Sequence, residues 1–135
     1  GRPFSSYRIK KEAIRDFDII LTSLALPRDE LYKRIDQRVD QMIGNGLVEE
    51  AEQLYPMRHL NALNTVGYRE LFDLFDGKID LNESIRLIKR NTRHYAKRQI
   101  TWNNRYTSMR YFRPDEPDDI IHFIDSQIDQ DKNLG

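Results

Sequence analysis

The pattern of hydrophobic positions begins with a continuous apolar run and then changes to helical spacing. Residues 17–26 are β-branched and aliphatic and end at Pro27, which predicts a mostly buried strand. The backbone groups of such a strand need neighbouring strands. The sequence offers only short candidates, near residues 111–112 and 120–121. We therefore expect the other strands of this sheet to lie outside the chain.

Apolar residues three or four positions apart then predict four helices. The first follows Pro27 and ends at residues 44–46, where a glycine suits a left-handed C-terminal cap. The second covers residues 47–54 and the third about 66–74. The fourth is long and begins near Asp80, whose side chain suits an N-cap. The expected fold class is mainly α, with one N-terminal buried strand.

The fourth helix has an apolar face and an opposite cationic face. The apolar face comprises Leu81, Ile85, Ile88, Thr92, Tyr95, Ala96 and Gln99, and the cationic face comprises Arg86, Arg90, Arg93 and Lys97. Tyr95 and Trp102 are therefore expected in the core, with stacking against bases as the alternative. Arg86 has Asp80 and Glu83 nearby to pair with, so it is the least favoured of these cations for binding a partner.

The 135-residue chain carries 22 basic and 22 acidic residues, but the two signs are segregated. Residues 84–114 hold nine Lys or Arg and no acid, whereas residues 115–131 hold seven acids and no base. A cationic cluster attracts phosphates even in a neutral protein, so this stretch predicts a polyanionic partner. The alternative is a solvated helix face. The acids at 115–119 are expected to form a solvated turn rather than a metal site.

Composition excludes several classes of protein. With 39% apolar and 33% charged residues, the chain fits one modest globular unit. The absence of cysteine excludes thiolate chemistry, and the three histidines are far apart, so no metal site is predicted. Since there is no long apolar run and no leader, we expect a cytoplasmic protein without membrane association.

Arginines in and before the first helix form a candidate phosphate clamp. Arg34 and Arg38 stand one turn apart, and Arg38 has no acid at helical spacing to pair with. The helix follows the predicted strand through a tight turn that contains Arg28, and α/β proteins bind ligands at such positions. Because a guanidinium fork matches phosphate oxygens, the three arginines suit a phosphate group. Pairing with distant carboxylates is the alternative.

No nucleophile or general base is assigned, and no Gly-x-x-x-x-Gly-Lys-Ser/Thr phosphate loop occurs. Gly67, within residues 65–68, would permit a close approach to a ligand. A simple loop that enters a helix is the alternative.

Three blocks of the chain, at residues 26–47, 65–70 and 92–102, resemble successive motifs of the tRNA dimethylallyltransferase family in order and spacing. The most specific is Tyr-Ala-Lys-Arg-Gln-x-Thr-Trp at residues 95–102. The resemblance covers about residues 1–113. It implies transfer of the dimethylallyl group of dimethylallyl diphosphate to N6 of the adenosine just 3′ of the anticodon. It also implies Mg²⁺ as cofactor and a fold similar to the α/β P-loop nucleotide kinases.

The resemblance further implies that this chain is a C-terminal fragment. The phosphate loop, the general base, the Mg²⁺ ligands and the inserted domain that grips the tRNA anticodon stem-loop would all precede it. Residues 1–16 are then a polar lead-in, 17–113 the C-terminal part of the core and 114–135 an acidic tail. We expect the fragment alone to be inactive, and its oligomeric state is not predicted.

By motif position, Arg38 resembles the arginine that contacts the diphosphate, with Arg34 as its neighbour. Gly67 and Tyr68 match a loop near the substrate channel. The residues expected to bind tRNA are Arg90, Arg93, Lys97, Arg98 and Arg105. Arg105 departs from the family pattern, in which an arginine follows the tryptophan within two residues.

Two other functions remain open. In the first, the chain is a non-catalytic helical module that binds RNA or a protein through the basic helix. Alternatively, it belongs to a small-molecule nucleotide kinase in which the arginines act as a lid. An upstream phosphate loop followed by an inserted helical domain would fit only the transferase.

Overall fold

The computed structural model describes residues 16–133, and the predicted lead-in at residues 1–16 lies almost entirely outside them. The element order is β1 Thr22–Leu24, α1 Arg28–Gly44, α2 Leu47–Leu54, α3 Tyr68–Phe75, α4 Leu81–Asn103, β2 Arg110–Phe112 and α5 Pro117–Asn133. Two short 3₁₀ turns, Tyr55–Met57 and Asn61–Leu63, connect α2 to α3. The prediction of a mainly α chain, with four helices after an N-terminal strand, is confirmed.

Local sequence accounts for the ends of the helices. Gly46 adopts the left-handed conformation (φ 104°, ψ 22°) that separates α1 from α2. At the start of α4, Asp80 Oδ1 accepts a hydrogen bond from the Glu83 backbone N–H at 2.7 Å. Both caps agree with the sequence-based predictions, since each depends only on residues next to it in the chain.

The core lies where α1, α2, α3 and α4 meet. Its buried apolar residues are Val39, Leu47, Ala51, Leu71, Phe72 and Ile88. Each helix contributes at least one of them, so the four helices form one packed unit that holds the loop between α2 and α3 in place. Among residues 16–133, no helix combines the length and the apolar character needed to cross a bilayer.

β1 and β2 form a two-stranded parallel sheet in which Ser23 lies opposite Tyr111. Parallel strands require a crossover connection, and here the crossover contains all four core helices. The end of α4 is tied to β1 because Asn103 Nδ2 donates a hydrogen bond to Ser23 Oγ at 3.2 Å. The short strand predicted near residues 111–112 is therefore confirmed.

The prediction of a mostly buried strand over residues 17–26 is wrong. Only Thr22–Leu24 are in a strand, and Phe17 and Leu24 are 64% and 59% exposed. A sheet of only two strands buries little of the apolar surface of either strand. The apolar run therefore remains largely uncovered by the residues that the structure describes.

The prediction of a strand near residues 120–121 is also wrong, because these residues lie in α5. Pro117 begins this helix, and two acids in its first turn complement the helix dipole. Phe123 of α5 contacts Phe112 of β2, with ring centroids 5.5 Å apart. The acidic segment predicted as a solvated turn is thus divided between a turn and the start of a helix.

The core positions predicted for Tyr95 and Trp102 are wrong for the described structure, in which they are 62% and 54% exposed. The reason is the difference in helix length. With 23 residues α4 is roughly 35 Å long, whereas the eight residues of α3 span roughly 12 Å. The second half of α4 therefore extends beyond α3, and α3 does not cover Tyr95 or Trp102.

Candidate functional site

A cavity of about 640 Å³ lies between α1, α4 and the loop that precedes α3. Its walls are largely apolar and include Ile35, Met42 and Ile88. Arg38 of α1 and Gly67 of the loop both line it. Two residues that the sequence analysis assigned to substrate binding, from segments far apart in the chain, are thus brought to one cavity.

The loop at this cavity requires a glycine. Gly67 has φ 104° and ψ −61°, a conformation that side-chain-bearing residues rarely adopt. A Cβ added there would meet no atom within 4 Å, so the requirement comes from the backbone and not from crowding. Residues 64–67 together form one wall of the cavity.

Glu70 holds this loop in place. Its side chain is buried, at 4% exposure, and Oε2 accepts the Gly67 N–H at 2.7 Å. Oε1 accepts a hydrogen bond from Asn91 Nδ2 of α4, also at 2.7 Å. Glu70 therefore joins the loop, α3 and α4. The sequence analysis did not identify this role, although a glutamate three residues after a helix N-cap was the available signal.

Three guanidinium groups surround the cavity, from Arg38, Arg69 and Arg98. None of them forms an ion pair with any residue in the described part of the chain. Arg98 lies only over the ring of Tyr95, 5.8 Å from its centroid. Unpaired cations beside apolar walls suit a ligand with an anionic head and a hydrocarbon chain. Arg69 was not predicted as a site residue.

The other two arginines of the predicted clamp do not line this cavity. Arg34 is half exposed and pairs with Glu30 of the same helix at 3.3 Å. Glu30 also accepts a hydrogen bond from Arg113 at 3.1 Å, which ties α1 to the segment after β2. Arg28 is exposed in the first turn of α1. The structure therefore separates Arg38 from the arginines that the sequence grouped with it.

Tyr68, predicted to lie near the channel, directs its hydroxyl group towards α2. The hydroxyl donates a hydrogen bond to Glu50 Oε1 at 2.5 Å, and this bond raises the pKa of Tyr68. Its ring stacks on Phe72, with centroids 6.1 Å apart. Of the pair Gly67 and Tyr68, only the glycine lines the cavity.

The cations of α4 divide into two groups. Arg86, Lys89 and Arg93 are each paired with a carboxylate, and Lys89 and Arg93 reach Asp40 and Asp36 of α1 at 2.7 Å. The remaining cations of the helix, together with Arg105 in the turn after it, form no ion pair with described residues; they are Arg90, Lys97, Arg98 and Arg105. The pairing of Arg86 with Glu83 agrees with the sequence-based expectation. Arg93 lies at the α1–α4 interface, where its ion pair with Asp36 gives it a structural role, and its contact with tRNA stays a prediction.

We expect Arg93→Gln to lower the free energy of unfolding by about 0.5–1 kcal/mol, because its ion pair with Asp36 is partly exposed. Urea denaturation of the wild type, both single variants and the Arg93→Gln/Asp36→Asn double variant measures the coupling. Lys97→Gln serves as the matched control and should leave stability unchanged. Additive effects of the two single changes would contradict this assignment.

The proteins that resemble this chain in sequence and those that resemble it in structure carry matching names. Residues 1–106 match the family model described as IPP transferase. The chain is 50% identical over 129 residues to a tRNA dimethylallyltransferase of Christiangramia forsetii. It is 52% identical over 130 residues to tRNA dimethylallyltransferase 2 of Parabacteroides distasonis. Each alignment covers 95% of this chain and 43% of the relative, so the chain spans less than half the length of these relatives.

Solved structures give the same result. The full-length tRNA isopentenylpyrophosphate transferase of Bacillus halodurans superposes with a TM-score of 0.77 at 36% identity, over 85% of this chain and 41% of that one. The tRNA delta(2)-isopentenylpyrophosphate transferase of Staphylococcus epidermidis superposes with a TM-score of 0.75 at 28% identity, over 85% and 39%. The family model covers well over half of the chain, and the order of motifs and the helical core agree with it. The chain therefore belongs to the IPP transferase family.

Proposed function

We propose that this chain forms part of a tRNA dimethylallyltransferase, which moves a dimethylallyl group from dimethylallyl diphosphate to N6 of the adenosine 3′ of the anticodon. The observation that carries the proposal is the cavity at Arg38, where apolar walls adjoin three guanidinium groups that form no ion pair with residues 16–133. A prenyl diphosphate needs apolar surface for its hydrocarbon and cations for its diphosphate. The names of the relatives support this class of substrate.

In the proposed reaction, N6 of the adenosine attacks the first carbon of the dimethylallyl group. The bond from that carbon to the diphosphate oxygen breaks, and its electron pair leaves with the diphosphate. Arg38 would stabilise the negative charge that develops on this leaving group, because its guanidinium group has no carboxylate partner among the described residues. The proton lost from N6 requires a general base. The family resemblance implies that this base precedes the present chain in the full-length sequence.

Mg²⁺ belongs to the proposal through the same resemblance. Within residues 16–133, no three acidic or histidine side chains lie close enough together to hold a metal ion. The side chains around the cavity that carry charge are arginines, which do not bind metals. The described residues that line this cavity therefore supply no carboxylate for magnesium, and no step is assigned to the metal here. We also propose that the reaction takes place in the cytoplasm, because its substrate is a tRNA.

A non-catalytic RNA-binding module is the second candidate. Three cations that form no ion pair within the described part of the chain would be available to RNA whether or not any transfer takes place; they are Lys97, Arg98 and Arg105.

A chimera separates the two candidates. This chain would replace the aligned 129 residues of the Christiangramia forsetii relative, and the product would be incubated with substrate tRNA, dimethylallyl diphosphate and Mg²⁺. We expect prenylated adenosine, detected by mass spectrometry of digested tRNA. The relative without those residues and the 135-residue chain alone are the controls, and neither should transfer the group. A folded chimera that binds tRNA but transfers nothing would support the binding module, and turnover by the isolated chain would contradict its proposed place in a larger enzyme.

A further inference from the structure

The cavity at Arg38 lies along a pair of antiparallel helices, and this arrangement fixes which residues lie at each of its ends. Asp36 of α1 pairs with Arg93 of α4 at 2.7 Å. One turn further along α1, Asp40 pairs with Lys89, which lies one turn earlier in α4, also at 2.7 Å. A step towards the C-terminus of α1 is therefore a step towards the N-terminus of α4.

One end of the cavity is cationic. Ile35 of α1 lies at this end, together with Tyr95 and Arg98 of α4. Neither Arg98 nor Arg38, about one turn after Ile35, forms an ion pair within residues 16–133. Guanidinium groups without carboxylate partners suit a diphosphate, since each fork matches phosphate oxygens. The head of a prenyl diphosphate would therefore bind here.

The opposite end of the cavity is apolar. It includes Val39 and Met42 of α1 and Ile88 of α4. Val39 and Ile88 belong to the core, at 3% and 2% exposure, so close packing holds them in place. Met42 is 38% exposed and lies outside the core cluster. Because its unbranched side chain has several rotatable bonds, Met42 is the one of these three that can fill or vacate space.

The spacing of Arg38 and Met42 matches the length of a short hydrocarbon. The two residues are four positions apart on one face of α1, so their Cβ atoms lie roughly 6 Å apart. A dimethylallyl group whose diphosphate binds Arg38 spans about one helical turn, which is a similar length. A geranyl group carries a second isoprene unit and would meet the Met42 side chain. The apolar end therefore suits one isoprene unit and not two.

We propose that Met42 is a specificity-determining residue, whose side chain closes the apolar end of the Arg38 cavity and limits the transferred group to one isoprene unit. This inference rests on the proposed function and deepens it by assigning the length of the prenyl group to one side chain. It also separates Met42 from Val39, which lies on the same stripe of α1 but serves the core.

The test uses the intact protein, meaning this chain with any sequence that naturally adjoins it, together with substrate tRNA. Transfer from dimethylallyl diphosphate is compared with transfer from geranyl diphosphate, and we expect the wild type to favour the former. In Met42→Ala, the ratio of kcat/KM for geranyl diphosphate to kcat/KM for dimethylallyl diphosphate should rise about 10- to 200-fold. The reason is that the longer group gains room while the shorter group loses a contact.

Three further variants make the test specific. Met42→Leu keeps most of the side-chain volume and should keep the wild-type ratio. Met57→Ala removes a methionine that is 44% exposed and does not line the cavity, so the ratio should not change. Arg38→Ala should lower transfer of both groups without a large change in the ratio, because the diphosphate is common to both substrates. Circular dichroism and urea midpoints verify that each variant is folded.

A folded Met42→Ala protein with the wild-type ratio, or a wild type that uses both diphosphates equally, would overturn the inference. Isothermal titration calorimetry without tRNA separates it from the proposed function. If no protein transfers either group, but Met42→Ala gains affinity for geranyl diphosphate relative to dimethylallyl diphosphate, the role of Met42 is supported and the proposed reaction is contradicted. No transfer combined with an unchanged relative affinity would overturn both.

Discussion

Replacing Arg38 with alanine in the intact protein is expected to lower kcat/KM for dimethylallyl transfer by about 100- to 1,000-fold, equivalent to roughly 3–4 kcal/mol. The reason is that Arg38 lines the apolar cavity and has no carboxylate partner among the described residues, so its charge is free to stabilise the leaving diphosphate. Steady-state kinetics with saturating tRNA and varied dimethylallyl diphosphate measures the change.

Two variants make this prediction specific. Arg38→Lys retains the charge but loses the fork, so its activity should lie between those of the wild type and the alanine variant. Lys33→Ala removes a cation from an exposed position on the same helix and should leave kinetics unchanged. A folded Arg38→Ala protein with wild-type kcat/KM would show that this arginine does not contact the diphosphate.

Replacing Glu70 with alanine is expected to reduce the free energy of unfolding by about 2–4 kcal/mol, the largest loss among the single changes considered for stability. Two hydrogen bonds of a buried carboxylate disappear, and the Gly67 N–H and the Asn91 amide lose their acceptor. The same bonds position the cavity loop. The loss of activity should therefore exceed the loss of folded protein at the assay temperature. Urea denaturation and kinetics on the same samples measure both effects.

Glu52→Ala is the matched control, since Glu52 is an exposed glutamate in α2. Glu70→Gln should cost less than Glu70→Ala because the amide oxygen still accepts the Gly67 N–H. In a double-variant cycle, Glu70→Ala and Asn91→Ala should be non-additive, as expected for residues in one hydrogen-bond network. Additive costs would contradict the link between the loop and α4.

Much of the helical framework was predictable because helix ends depend on neighbouring residues. A glycine after α1 and an aspartate before α4 satisfy backbone groups within one turn, whatever the rest of the chain does. The same holds for Arg86, whose partner Glu83 is three residues away. Family motifs in the sequence predicted a substrate-binding role for Arg38 and Gly67. The structure brings both residues to one cavity, and their role there stays a prediction.

Burial was predicted less well, because it depends on elements that are distant in sequence. An apolar run predicts a buried strand only if other strands and layers cover it, and two strands do not cover residues 17–26. Similarly, Tyr95 lies on the apolar side of α4, but α3 is too short to reach it. The periodicity was interpreted correctly for Ile88, which is buried in the core that α1, α2, α3 and α4 form together.

The sequence by itself determined helices α1–α4, the caps at the end of α1 and the start of α4, the family motifs and the segregation of charge. Only the tertiary structure decided which cations are free to bind a ligand. Arg90 and Arg93 lie close together on the helical wheel, yet Arg93 pairs with Asp36, 57 residues earlier in the chain, while Arg90 lines a polar cavity between α3 and α4. Periodicity gives the angle of a side chain around its own helix axis, but packing against α1 and α3 decides whether a carboxylate, a cavity or solvent lies at that angle.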